Sequence, residues 1–124
     1  MRLLLDTHVL LWVLAGDRRL TRPSREILTG ADLLVVSVVS AWEIALKAAT
    51  GKLRAPDNLE GAVLESGLST TPLGFADVAE SARLPVHHSD PFDRLLVAQA
   101  RMRGLTIMSK DRQMERYDVP LLLI

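Results

Sequence analysis

Cysteine is absent from this chain, which excludes disulfide bonds and thiolate metal sites and suits a reducing cytosol. No apolar run approaches the roughly 18–20 residues that span a bilayer. The opening Leu3–Leu5 and Val9–Ala15 resembles a signal-peptide core, but Asp6 and His8 interrupt it, so a soluble cytoplasmic protein is expected. Excess charge of either sign is missing too: 15 Lys and Arg balance 15 Asp and Glu, which leaves no overall basic footprint for nucleic acid. If four of the acids were tied up in a metal site, the rest of the surface would carry about +4. The chain has no Gly-x-Ser-x-Gly elbow, no phosphate-binding glycine loop, no dinucleotide glycine fingerprint and no zinc-binding histidine pair on a helix. Internal repeats, low-complexity tracts and linkers are lacking as well.

What remains is 124 residues with 48% hydrophobic content, expected to form a single domain over residues 1–124. Short apolar runs at Leu3–Leu5, Leu33–Val39, Ser69–Leu73, Leu105–Ser109 and Leu121–Leu123 read as strands. Amphipathic stretches alternate with them. One helix is expected to bury Val39, Trp42, Ala45, Leu46, Ala49 and Leu53 as a stripe. Another runs from Phe92 to Arg103, opened by Asp90-Pro91 and stopped by Gly104. Shorter helices are expected at Thr21–Leu28, Asp57–Ser66 and Ala76–Leu84. Nearly continuous apolar strands separated by helices indicate an α/β fold, its parallel sheet covered on both faces.

Four acids stand where such a sheet presents chemistry. Asp6 follows the first strand and Asp111 the fourth, so both lie at carboxyl ends, where open α/β sheets bind ligands. Each also suits a plain capping role at the start of a helix. Asp93 heads the inward stripe of Leu96, Val97 and Ala100, although it also fits the third position of a helix capped by Asp90. Glu43 completes a capping-box spacing with Ser40, and Lys47 lies one turn further on. Taken together, four carboxylates on one rim require a divalent cation, and oxygen donors favour Mg²⁺ or Mn²⁺ over zinc.

The segments Leu3-Leu4-Leu5-Asp6-Thr7-His8, Ser37-Val38-Val39-Ser40-Ala41-Trp42-Glu43-Ile44, His87-His88-Ser89-Asp90-Pro91-Phe92-Asp93-Arg94-Leu95-Leu96-Val97-Ala98-Gln99-Ala100 and Ser109-Lys110-Asp111 resemble, in order, the signatures of PIN-domain ribonucleases. Within that family they are most similar to the VapC toxins of toxin–antitoxin pairs, and the resemblance covers essentially the whole chain. It implies an α/β/α sandwich around a central, mainly parallel five-stranded sheet, metal-dependent cleavage of RNA, a homodimer and a cognate antitoxin. It makes Asp6, Glu43, Asp93 and Asp111 the acidic constellation around Mg²⁺ or Mn²⁺. Thr7 and Ser109 become polar supports, with Asp90 foremost an N-cap and Lys47 and Arg94 candidate phosphate contacts. His87 and His88 read as loop-shaping residues rather than metal ligands. A housekeeping RNA-processing nuclease is the alternative. A phosphorylatable receiver domain fits poorly, because Asp6 has no acidic neighbour and the third strand contains no aspartate.

Overall fold

The computed structural model describes residues 1–124. Its elements are β1 (Arg2–Leu5), α1 (Thr7–Ala15), α2 (Arg22–Gly30), β2 (Leu33–Ser37), α3 (Val38–Ala49), α4 (Leu59–Glu65), β3 (Ser69–Thr71), α5 (Phe75–Arg83), α6 (Pro91–Arg103), β4 (Thr106–Ser109), a 3-10 turn (Arg112–Arg116) and β5 (Leu121–Leu123). The five strands form one sheet in the order β3-β2-β1-β4-β5, and every pairing is parallel. Leu3 at the centre faces Leu34 of β2 on one side and Thr106 of β4 on the other.

Strand alternation divides the core. Leu4, Val35 and Ile107 point to one face and pack with Leu96, Val97 and Ala100 of α6 and with Tyr117. Leu3, Leu5, Val36 and Met108 point to the other and meet Val9, Leu10 and Trp12 of α1 and Ile44 of α3. Both faces of the sheet are therefore covered, which is why its strands read as apolar runs rather than alternating ones. Each leucine buried in this way contributes roughly 2 kcal/mol.

The order of strands locates the cleft. From β1 the chain builds outward through β2 to β3, then crosses back over the centre to place β4 on the other side of β1. Connections leave β1 and β4 in opposite directions, which opens a crevice beyond their carboxyl ends.

Helix α3 departs from the sequence expectation. Ser37, rather than Ser40, is its N-cap, accepting a hydrogen bond from the Val39 amide at 3.0 Å. The helix consequently claims Val38 and Val39 from the anticipated strand. Its buried side chains are Val39, Ser40, Glu43 and Ile44, whereas Trp42, Ala45, Leu46 and Ala49 are exposed. The expected stripe is thus rotated by about one residue's 100°. The Trp42 ring instead braces the Phe92 ring edge-on at 4.9 Å, tying α3 to the first turn of α6.

A polar cluster locks α5 and β3 to α6. Arg103 donates to both oxygens of buried Asp77, at 2.7 and 2.9 Å, and to Thr71 Oγ1 at 3.0 Å. Gln99, fully buried, donates to Asp77 Oδ2 and to the Pro72 carbonyl, and accepts from Ser37 Oγ. Every buried polar side-chain atom has a partner, as a tightly specified interior requires.

Candidate active site

Asp6, Glu43, Asp90, Asp93 and Asp111 line one cleft of about 390 Å³ at the carboxyl edge, together with His8, Lys47, Lys110 and Arg112; no hydrophobic residue lines it. The four acids singled out by sequence are thereby brought together, each by a different local device.

Asp6 ends β1 and is the N-cap of α1: its Oδ1 accepts from the Thr7 amide at 2.7 Å. Its own amide donates to Met108 O at 3.0 Å, continuing the β1–β4 ladder one residue past the strand. Ser109 Oγ donates to Asp6 Oδ2 at 2.5 Å and accepts from the Asp111 amide at 2.9 Å, so one hydroxyl spaces two of the acids. Asp111 caps the following 3-10 turn through Gln113. Thr7 Oγ1 donates to Ser40 Oγ at 3.0 Å and joins the start of α1 to α3, one turn before Glu43. The Thr7 and Ser109 hydroxyls thus each link two elements that carry acids.

Capping and clustering proved compatible roles. Asp90 accepts from the amides of Phe92 and Asp93 at 2.9 and 3.2 Å, the N-cap role expected of it, while also bordering the cleft. Asp93, in the first turn of α6, aims inward above Leu96 and Val97. Glu43 is buried and accepts from Lys47 Nζ at 2.5 Å, an ion pair that sits in the cleft wall.

The electrostatics single out Asp93. Burial, followed by repulsion from Asp6, Asp90, Glu43 and Asp111, pushes its carboxyl up to about 8. Burial also raises Asp6, but the hydrogen bonds from Ser109 and Thr7 oppose that effect. The Glu43 hydrogen bond raises Lys47, which keeps that lysine charged and committed. No lysine or arginine contacts Asp93; its carboxylate has one side-chain partner, His88 Nε2 at 3.2 Å. A dense set of oxygen donors short of positive charge fits a hard divalent cation.

Two expectations need correction. Arg94 does not face the cleft: its guanidinium donates to the carbonyls of Ser81, Leu84 and Pro85 at 2.8–3.0 Å, satisfying the end of α5, and so is spent on structure rather than offered to phosphate. His88 is more than a loop residue. Its ring is held between Tyr117 Oη, 2.8 Å from Nδ1, and Asp93. One donor atom each from His88, Asp93 and Asp111 lies within 4.8 Å of the others. The only sequence signal for this was a histidine five residues before Asp93; Tyr117, the other half of the arrangement, lies 24 residues beyond that aspartate.

Fold and site define a three-layer α/β domain with a carboxylate-lined cleft suited to a divalent cation. The chain belongs to the PIN-domain family, whose model matches residues 3–120. It is 26% identical over 120 residues to Ribonuclease VapC22 of Mycobacterium tuberculosis, with 94% of this chain and 92% of that one covered. Among solved structures it is similar to VapBC2 from Rickettsia felis bound to a promoter DNA fragment (TM-score 0.73, 13% identity, 99% and 98% of the two chains). It also resembles DNA-bound VapBC from Salmonella typhimurium (TM-score 0.70, 15% identity, 98% and 97%) and FitAcB from Neisseria gonorrhoeae (TM-score 0.69, 17% identity, 97% and 96%).

Proposed function

We propose that this protein is a Mg²⁺- or Mn²⁺-dependent endoribonuclease that acts as the toxin of a toxin–antitoxin pair. The observation that carries the reading is the convergence of Asp6, Glu43, Asp93 and Asp111 on one solvent-open cleft in which Asp93 has no cationic partner. PIN-family membership and the VapC relative support the substrate class; the VapBC complexes among its structural neighbours support an antitoxin partner. Exposed apolar side chains at Trp42, Leu46, Leu64, Phe75 and Val86 offer surface for such protein partners. No helix is long and apolar enough to cross a membrane.

Asp6, Glu43, Asp93 and Asp111 would hold the cation. When bound, it supplies Lewis-acid polarisation of a phosphodiester and lowers the pKa of water. The chain's own residues do the rest. Ser109 fixes the Asp6 carboxylate in one orientation, and Thr7 holds α1 to α3 so that Asp6 and Glu43 keep their separation. Lys47 restrains Glu43 through an ion pair at Oε2, which keeps that carboxylate fixed in the cleft wall. Lys110 and Arg112 flank the cleft and counter the charge of the RNA backbone as it approaches the acids. The Lys110 ammonium lies over the Trp12 ring, 5.3 Å from its centroid, which restricts its sweep toward that rim.

The test uses purified protein and labelled single-stranded RNA with Mg²⁺ or Mn²⁺. Cleavage that stops in EDTA and in Asp93→Asn, together with growth arrest relieved by a co-expressed neighbouring gene, supports the whole reading. Undiminished cutting in chelator would remove the metal mechanism, and cutting without toxicity would assign the protein to RNA processing.

A further inference from the structure

Two histidines stand near the acidic residues, and they are placed differently: His8 lines the cleft, whereas His88 lies behind Asp93 and reaches the site through that carboxylate. His8 is exposed and its ring makes no hydrogen bond. His88 is largely buried, with only 13% of its side chain accessible, and both ring nitrogens are engaged: Nδ1 with Tyr117 Oη at 2.8 Å, Nε2 with Asp93 Oδ2 at 3.2 Å. Tyr117 is itself fixed by burial in the α6 side of the core and by the edge-on His87 ring at 5.0 Å. The imidazole is thus anchored from behind, with Nε2 directed at the carboxylates.

An imidazole that ligates a metal through one nitrogen almost always gives its other nitrogen to an orienting partner. Tyr117 supplies that partner in a form that permits exchange of tautomers. In one tautomer Nε2–H donates to Asp93 and Nδ1 accepts from the tyrosine hydroxyl. When a cation takes Asp93, the imidazole proton can reside on Nδ1 and donate to the same oxygen, because a hydroxyl both donates and accepts. Nε2 is then left with its lone pair facing the ion.

The spacing is compatible. Donor atoms of His88, Asp93 and Asp111 lie within 4.8 Å of one another. Opposite ligands on one ion at about 2.1–2.2 Å would be roughly 4.2–4.4 Å apart, so small side-chain rotations close the site.

We infer that His88 Nε2 is a ligand to the divalent cation held by Asp93 and Asp111, making the centre a mixed nitrogen–oxygen site selective for Mn²⁺ over Mg²⁺. This rests on the metal-dependent reading above. Mg²⁺ keeps to oxygen donors and dehydrates reluctantly, so a nitrogen ligand helps it little, whereas first-row transition ions accept imidazole readily. A histidine that merely hydrogen-bonds Asp93 would favour both ions alike through the carboxylate.

The deciding measurement is pulsed electron paramagnetic resonance of the Mn²⁺-loaded protein, paired with titrations of Mn²⁺ and Mg²⁺ into wild type, His88→Gln and Tyr117→Phe. Wild type should show ¹⁴N modulation from a directly bound imidazole, and His88→Gln should lose it. His88→Gln should also weaken Mn²⁺ binding by at least the roughly 10–100-fold that loss of a ligand's orienting partner costs, while Mg²⁺ binding changes much less. Tyr117→Phe should keep the ¹⁴N signal but narrow the preference for Mn²⁺. Absence of ¹⁴N coupling in Mn²⁺-bound wild type, or an equal loss for both ions in His88→Gln, would overturn the inference and leave the carboxylate site standing. Binding of neither ion by wild type would overturn both. Should His88→Gln fail to fold, the wild-type spectrum and Tyr117→Phe still decide.

Discussion

Replacing Asp93 by asparagine should stabilise the metal-free protein while abolishing its activity. The side chain keeps its size and loses a charge that the fold holds at a cost. In the folded protein this carboxyl titrates at about 8, pushed there first by burial and then by four neighbouring acids, against an ordinary 3.8. Between those values the folded state holds a proton that the unfolded chain releases. The raised folded value therefore gives a contribution that is full below about pH 4 and is lost progressively as the pH climbs through 8. The slope approaches 1.4 kcal/mol per pH unit, with a ceiling of about 6 kcal/mol by pH 9. Two effects reduce it. The cleft is open to solvent on one side, and an anion in the first turn of α6 gains about 0.3–1 kcal/mol from the helix terminus, which asparagine forgoes. A net gain of about 2–4 kcal/mol for Asp93→Asn at pH 9 remains, vanishing near pH 4. Urea denaturation of both proteins in EDTA at pH 4, 7 and 9 measures it directly. In a thermal melt the same gain amounts to roughly 3–5 °C per kcal/mol for a domain of this size. Saturating Mn²⁺ should then raise the wild type far more than the variant, because the ion relieves a repulsion that the variant has already lost. Parallel pH curves for the two proteins, or a wild type that grows more stable than the variant with rising pH, would refute the reasoning.

Asp90→Asn should cost activity far less than Asp93→Asn, because asparagine also accepts the amide hydrogen bonds of an N-cap; single-turnover rates on one RNA compare them. Asp77→Asn should lower stability at pH 7 by about 2–4 kcal/mol, since it leaves the Arg103 guanidinium beside a neutral amide. The Arg103 guanidinium holds the Asp77 carboxyl down at about 2, so the wild-type advantage is present above pH 4 and fades as the pH falls toward 2, which urea melts across that range would reveal. Gly104→Ala, at a φ of 64° with open space around the missing Cβ, should destabilise by about 1 kcal/mol through backbone strain alone, and calorimetry should find the metal response unchanged.

Much of this architecture was written locally. Leu3–Leu5 had to be a strand buried on both faces, Pro91 and Gly104 bracketed α6, and Asp6 and Asp111 followed strands whose ends a parallel sheet collects on one rim. The capping signals at Asp6, Asp90 and Asp111 were sound, for all three cap while they border the cleft, whereas the Ser40–Glu43 spacing was not, since Ser37 caps α3. The family signatures supplied the remaining member of the constellation, since Glu43 by spacing alone read as a capping residue.

Tertiary structure decided the rest. Hydropathy placed Trp42, Ala45, Leu46 and Ala49 inside, yet the first turn of α3 is set by Ser37 at the end of β2, and that rotation turns Glu43 and Ser40 inward instead. The assignment of Arg94 depended on where the carbonyls of Ser81, Leu84 and Pro85 fall, and that of His88 on Tyr117, 29 residues away along the chain. Periodicity reports which residue types recur along one element. It does not report which partner stands opposite, and for a charged or titratable side chain the partner determines whether it caps a helix, neutralises a neighbour or faces the cation.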